Sequence, residues 1–226
     1  MSAGASPADR PDLDPLRAAA ETMREVRERC VWSQQISHRD LVPYLIEESH
    51  EVIDAVEGGT RADLREELGD LLWQVLFHAA IAAQDPDDPF DIDDVAATLT
   101  EKMVRRHPHV FAGEVATTPE EVLVHWNAAK AAEKRTRRSV LDGIPRGMPA
   151  LALAQKVVGR AAGAGVVDAG TDAATSAARP TSEAELGDAL LGLVAVARAE
   201  GWDAERALRE RLRALEAEVR EAESGS

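Results

Sequence analysis

The stretch Pro43–Ala79, PYLIEESHEVIDAVEGGTRADLREELGDLLWQVLFHA, sets carboxylates into sequence that otherwise reads as core. Glu47, Glu48 and Glu51 come first, and Glu66, Glu67 and Asp70 arrive just before the apolar run LLWQVLFHA. Gly58-Gly59 is a good C-terminal stop for a helix over about Pro43–Val56. Thr60, with Asp63 three residues on as a near capping box, starts a second helix that runs to about Ala83.

On the first of these helices, Leu45, Val52, Ile53 and Val56 share one face, and Glu47 and Asp54 lie roughly opposite, as a solvated face requires. Glu48 and Glu51 sit one i,i+3 step apart on the shoulder beside the apolar stripe, where a wet face and a site are both open readings. On the second helix, Asp70, Gln74 and His78 fall within about 60° of Glu67. Nearly every other direction is apolar, from Leu68 through Ala80. A helix apolar almost all round is expected to be buried, with this polar stripe facing inward. Glu66 points elsewhere and reads as solvated.

Burying Glu67 and Asp70 without compensation costs several kcal/mol or forces protonation. If Glu48 and Glu51 face them across the hairpin, four carboxylates converge with no equal number of Lys or Arg in either helix. Divalent cations resolve that conflict, and all-oxygen ligation favours Mg²⁺ or Mn²⁺ over zinc. A ferritin-like di-iron bundle also places acids inside helices, but it needs paired Glu-x-x-His motifs. Glu47-x-x-His50 is one match, and no other histidine has Glu three residues before it.

Hard metals held by carboxylates typically grip phosphates and activate water, so basic groups are expected on a neighbouring element. EKMVRRHPHV supplies Lys102, Arg105 and Arg106 at i,i+3/i+4 steps, either as a phosphate grip or as a solvated basic face. Trp32 and Trp126 can each stack on a base or simply pack. His107 and His109 lack a matching ligand set and read as structural.

The rest of the chain agrees with an all-α fold. Ala, Leu, Glu and Arg dominate, aromatic residues are 4%, and no alternating strand pattern appears. The formal net charge of −15 argues against a nucleic-acid polymer or an anionic membrane as partner, though not against a small anion bridged by metal. Cys30 alone permits no intrachain disulfide and fits a reducing compartment. MSAGASPADRPDLDP lacks a basic n-region and an apolar h-region, and no apolar run reaches membrane length, so a cytoplasmic protein is expected.

Further helices are expected over about Leu16–Arg29, about Ile92–Arg106 ending at Pro108, and TPEEVLVHWNAAKAAEKR with Thr118 as cap. CVWSQQISHRDLVP reads as a loop and helix start. After the Pro/Gly connector SVLDGIPRGMP, three more helices are expected: ALALAQKVVGRAAGAG, EAELGDALLGLVAVARAEG and AERALRERLRALEAEVREAE. Glu67-Leu68-Gly69-Asp70 recurs as Glu185-Leu186-Gly187-Asp188, while EESHE has no second copy, so the second half reads as a degenerate repeat. The organisation expected is a disordered N-terminus at 1–11, a catalytic domain at 12–135 and a connector at 136–148. A degenerate domain follows at 149–222, with a flexible stretch near 168–183 and a tail at 223–226.

EESHE followed after a fifteen-residue gap by ELGD resembles the EExxE…ExxD signature of the all-α nucleoside triphosphate pyrophosphohydrolases, and specifically the MazG family. The likeness extends to CVWSQQISHRDLVPYL, EKMVRRHPHVF, VHWNAAKAAEK and SVLDGIPRGMPALALAQK, nearly the full length. It implies hydrolysis of NTPs and dNTPs to monophosphate and pyrophosphate with Mg²⁺, in the manner of a nucleotide-pool housecleaning enzyme, by a homodimer whose helices complete a bundle. Carried over, Glu48, Glu51, Glu67 and Asp70 hold metal, and Glu47 is an additional catalytic carboxylate. Lys102, Arg105 and Arg106 contact the triphosphate, and Trp126 lies near the nucleotide.

The family's CPWDxxQTH reads CVWSQQISH here, and Ser33 and Ile36 in place of Asp and Gln are expected to loosen nucleotide positioning. The missing second EESHE implies that only the N-terminal half is catalytic. A catalytically weakened helical scaffold or regulatory partner is the alternative reading.

Overall fold

The computed structural model describes residues 14–133, 139–145, 147–163 and 180–224, with side chains as far as residue 214. The expected disordered N-terminus and most of the flexible stretch near 168–183 lie outside the described residues. Those residues form ten helices and no strand. They divide into two compact units at Ala131/Ala132.

The first unit opens with α1 (Pro15–Arg29). Asp14 caps it, its carboxylate accepting from the amides of Leu16 and Arg17, and Pro15 takes the first turn, where no amide is needed. The segment expected to be loop contains a short helix, α2 (Val31–Gln35), and α3 (Val42–Gly58) and α4 (Arg61–Ala82) follow. The α3–α4 turn is tight because of Gly59. A β-carbon there would stand 2.8 Å from the Ala55 Cα and 2.9 Å from its carbonyl oxygen. Thr60 and Asp63 then complete a reciprocal capping box, Asp63 N to Thr60 Oγ1 at 3.2 Å and Thr60 N to Asp63 Oδ2 at 2.7 Å.

α5 (Ile92–Arg106) begins with a second such box between Asp91 and Asp94. His107 leaves helical geometry, and Pro108 then starts the short α6 (Pro108–Phe111) rather than only ending α5. α7 (Pro119–Ala132) begins with Thr118 Oγ1 accepting from the Glu121 amide.

The core of this unit is Met23 of α1, Leu41 before α3, and Leu76 and Phe77 of α4, with Leu72, Trp73, Ile81 and Ile92 against it. α1, α3 and α5 all pack on α4. Burying such side chains stabilises by about 1.5–3 kcal/mol each, which fixes the rotation of α4 about its axis. The expectation that α4 is buried all round is corrected here: Leu68 is 50% and Val75 is 40% exposed. Its three neighbours cover part of its circumference and leave an apolar remainder open.

Arg27 is buried at the end of α1 and donates to the carbonyls of Ser33 and Ile36 and to Gln84 Oε1. Burial pushes its pKa below the usual guanidinium value. Ser33 is 1% exposed, and its hydroxyl donates to the carbonyls of Val26 (2.7 Å) and Cys30 (3.0 Å). The position expected to help place a nucleotide therefore packs against the end of α1.

The second unit comprises α8 (Ala150–Gly163), α9 (Glu183–Ala199) and α10 (Ala204–Ser224), which pack on one another. Val158, Val194 and Ala197 are its buried apolar residues. Gln155 ties α8 to the α9–α10 turn, donating to the Trp202 carbonyl at 2.8 Å and accepting from the Ala204 amide at 3.3 Å.

Candidate metal and nucleotide site

The capping box at Thr60 starts α4, and the tight turn lays its first half beside α3. Oxygen atoms of Glu48 on α3 and of Glu67 and Asp70 on α4 all lie within 4.8 Å of one another. Gln74, one turn beyond Asp70, donates from Nε2 to Glu48 Oε1 at 3.3 Å. Burial, then the charges of Asp70 and Glu51, push the Glu48 carboxyl above its ordinary value, while the Gln74 bond pulls the other way. Burial, then Glu51 and Asp70, raise Glu67 in the same sense.

Glu51 thus acts on both glutamates, although its own side chain is exposed and it stands outside the three-residue oxygen cluster. Glu47 is exposed.

Glu48 and Glu67, raised by burial and then by neighbouring carboxylates, are short of positive charge, and three oxygen donors at this spacing fit a hard divalent cation. The donor set is all oxygen, which suits Mg²⁺ or Mn²⁺ and not a soft metal. This is the one such group of possible ligands among the described residues. Its counterpart in the second unit is spent otherwise. Glu185 accepts from the Thr181 amide at 2.6 Å and the Thr181 hydroxyl at 2.7 Å, and these bonds hold its pKa low. The physical difference is where the helix begins: Glu67 is six residues into α4 (61 to 67), and Glu185 is two residues into α9 (183 to 185). The same ELGD is mid-helix in one half and a helix-start box in the other.

Lys102, Arg105 and Arg106 lie in the last turns of α5, with Lys102 and Arg106 half-buried and Arg105 exposed. The Arg106 guanidinium sits over the Trp126 ring, 5.0 Å from its centroid, and the His107 ring meets Trp126 edge-on at 5.2 Å. Trp32 belongs to a different cluster, edge-on to Tyr44 at 6.3 Å and to Phe77 at 6.2 Å. The two tryptophans proposed from sequence are therefore not one pocket of rings.

From sequence, Gln74 and His78 belong to the polar stripe and have no part in the site. The Glu48 contact now gives Gln74 one. Nothing local in CVWSQQISH assigns a partner to its final residue, His38. Its Nδ1 lies 2.8 Å from His78 Nδ1, with the two rings parallel within 7° and 5.1 Å apart, across forty residues of chain.

Comparison with known proteins identifies the family. Residues 36–111, which span α3, α4 and α5, match the model of the MazG nucleotide pyrophosphohydrolase domain. A Streptomyces cacaoi protein described as an uncharacterized 26.1 kDa protein in the blaB 3′ region is 44% identical over 98% of this chain and 92% of its own length. The nucleoside triphosphate pyrophosphohydrolase of Escherichia coli K12 is 37% identical over 93% of this chain and 87% of its own length. That of Mycobacterium tuberculosis is 48% identical over 74% of this chain, which spans 51% of that longer protein. With the acid cluster in place and likeness of this extent, the chain belongs to the MazG nucleotide pyrophosphohydrolase family.

Proposed function

We propose that this protein hydrolyses nucleoside and deoxynucleoside triphosphates to the monophosphate and pyrophosphate, with Mg²⁺ (or Mn²⁺) held by its first unit. The observation that carries the reading is the convergence of Glu48, Glu67 and Asp70 within 4.8 Å, with Glu51 acting on both glutamates. The reaction consumes one water and one anhydride: the α–β bridge breaks, the new P–O bond comes from water, and pyrophosphate leaves. A hard divalent cation at this cluster supplies neutralisation of phosphate charge and a lowered pKa for the attacking water.

The chain's own residues do the rest. Glu48, Glu51, Glu67 and Asp70 hold the cation, and Glu47 takes the proton released by water. Lys102, Arg105 and Arg106 bind the phosphates as charge-assisted donors. Trp126, its ring already set by Arg106 and His107, stacks on the base. Trp32 packs α2 against α3 and α4 instead.

The apolar surface left open on α3 and α4, including Ile46, Val56, Leu68 and Val75, supports a homodimer in which a second copy covers it. No helix among the described residues is long and apolar enough to cross a membrane. Such a substrate class suits a cytoplasmic role in clearing aberrant nucleotides. The second unit, whose Glu185 is bonded to Thr181 at the start of α9, serves structure and assembly.

The test is to incubate the protein with each NTP and dNTP plus Mg²⁺ and follow pyrophosphate release. Release that depends on the cation is expected. A folded protein that releases none with any nucleotide overturns the reading in favour of a non-catalytic scaffold.

A further inference from the structure

The polar stripe of α4 continues past the cation cluster at helical spacing: Glu67, Asp70, Gln74, His78. Its second half holds two buried polar atoms without a partner, Gln74 Oε1 and His78 Nε2. Gln74 is 5% exposed, so its carbonyl has no access to bulk water. An orphaned buried acceptor or donor is destabilising, because it has given up water without gaining a partner. Residues four apart on a helix are neighbours on one face, with Cβ atoms about 5–6 Å from each other.

Their chemistry is complementary. An amide oxygen only accepts, and an imidazole Nε2 donates when it carries the proton. Rotating the Gln74 amide the other way would set its oxygen against the Glu48 carboxylate, so the amine end faces Glu48. Placing the His78 proton on Nδ1 would leave Nε2 an acceptor beside another acceptor. With the proton on Nε2, the His78 Nδ1 lone pair accepts from His38 Nδ1–H, which is the contact the rings make at 2.8 Å. That tautomer fits the His38 contact and leaves a donor at Nε2 to complement the Gln74 acceptor.

We propose that His38, His78 and Gln74 are positioning residues for the cation ligand Glu48. The chain of hydrogen bonds runs from His38 Nδ1–H to His78 Nδ1, and from His78 Nε2–H through a buried water to Gln74 Oε1. It ends with Gln74 Nε2–H on Glu48 Oε1. It ties the loop that precedes α3 to the stripe of α4, so that the two helices present their carboxylates in one register. Outer partners of this kind orient a ligand and raise its affinity for metal, and their loss typically weakens binding about 10–100-fold. The inference rests on the reading of Glu48 as a cation ligand.

The experiment titrates the nucleotide-free protein with Mn²⁺, following free Mn²⁺ by electron paramagnetic resonance, with thermal unfolding measured alongside. Gln74→Met and His78→Leu are expected to raise the Mn²⁺ Kd about tenfold or more. His78→Gln, whose Nε2 still donates toward Gln74, is expected to stay near wild type. The exposed His38→Ala gives an intermediate loss in a variant whose folding is not at risk.

If the wild type binds Mn²⁺ and Gln74→Met, His78→Leu and His38→Ala all bind it equally, the positioning inference falls and the cation site stands. Equal loss in His78→Leu and His78→Gln makes His78 a packing residue and also overturns it. If the wild type, like Glu48→Gln, binds no Mn²⁺, the cation reading itself fails.

Discussion

Gln74 and Glu48 meet across the α3–α4 turn, amide Nε2 to carboxylate Oε1 at 3.3 Å. The bond joins a buried residue on one helix to a half-buried acid on the other, at the point where Asp70 and Glu67 also converge. It is a neutral donor given to a carboxylate that burial, and then its neighbours, push toward protonation, so it offsets only part of that push. The rest is left for a cation.

That imbalance sets the first expectation. Glu48 and Glu67 have raised folded-state pKa values, so the metal-free fold takes up their protons at higher pH than the unfolded chain does. Their contribution to stability is complete below the unfolded value and is lost as pH rises through the raised folded one. At neutral pH, Glu48→Gln should therefore raise the metal-free Tm by about 2–4 °C, a shift that should shrink on acidification toward the ordinary glutamate value. Mg²⁺ should stabilise the wild type, by about 2.7 kcal/mol at a hundred times its Kd, and the variant far less. Turnover of the variant should fall at least about tenfold. Differential scanning across pH, with and without MgCl₂ at matched ionic strength, checks it. A variant less stable than wild type at neutral pH, or a wild type indifferent to Mg²⁺, contradicts it.

Trp126 and Trp32 should separate kinetically. Trp126→Ala removes the ring that Arg106 and His107 have set in place. Base stacking is worth about 1–3 kcal/mol, so KM should rise about tenfold or more, while Trp126→Phe keeps most of the binding. Trp32→Phe disturbs the packing with Tyr44 and Phe77 and should lower Tm while leaving KM unchanged. Steady-state kinetics on all three variants decide it, and the reverse pattern would transfer the base site to Trp32.

Glu67 and Glu185 occupy the same place in a repeated ELGD and should respond oppositely. Glu185→Gln weakens the box with Thr181 and should lower Tm slightly with no change in turnover. Because its pKa is depressed in the fold, that stability is present above the unfolded value and lost as pH falls through the folded one. Glu67→Gln should leave stability unharmed and abolish Mg²⁺-dependent turnover. Paired unfolding and activity measurements test it. Loss of turnover in Glu185→Gln at full stability would give the second unit a catalytic part.

Helix ends were legible wherever the signal was local. Thr60 with Asp63, Asp91 before α5 and Thr118-Pro119 before α7 each carry their own capping chemistry within a turn. α2 and α6 were not legible, because helices of five and four residues are too short to show a 3.6-residue period. The packing of Ser33 was not legible for a related reason. Its neighbours suggest a loop, and only its contacts with Arg27 and Val26 show that Ser33, in α2, packs against the end of α1.

By itself the sequence determined the α3–α4 hairpin, the side of each helix on which Glu48, Glu51, Glu67 and Asp70 stand, and the family. These follow from the 100° step of a helix, the stop at Gly58-Gly59 and the spacing of a motif, all properties of the local chain. Only the tertiary structure decided which of those acids share one space, that Gln74 reaches Glu48, that His38 meets His78, and that the tryptophans part company. A helical pattern gives angles about one axis, whereas the rotation of that axis against its neighbours comes from how Met23, Leu41, Leu76 and Phe77 fill a common core.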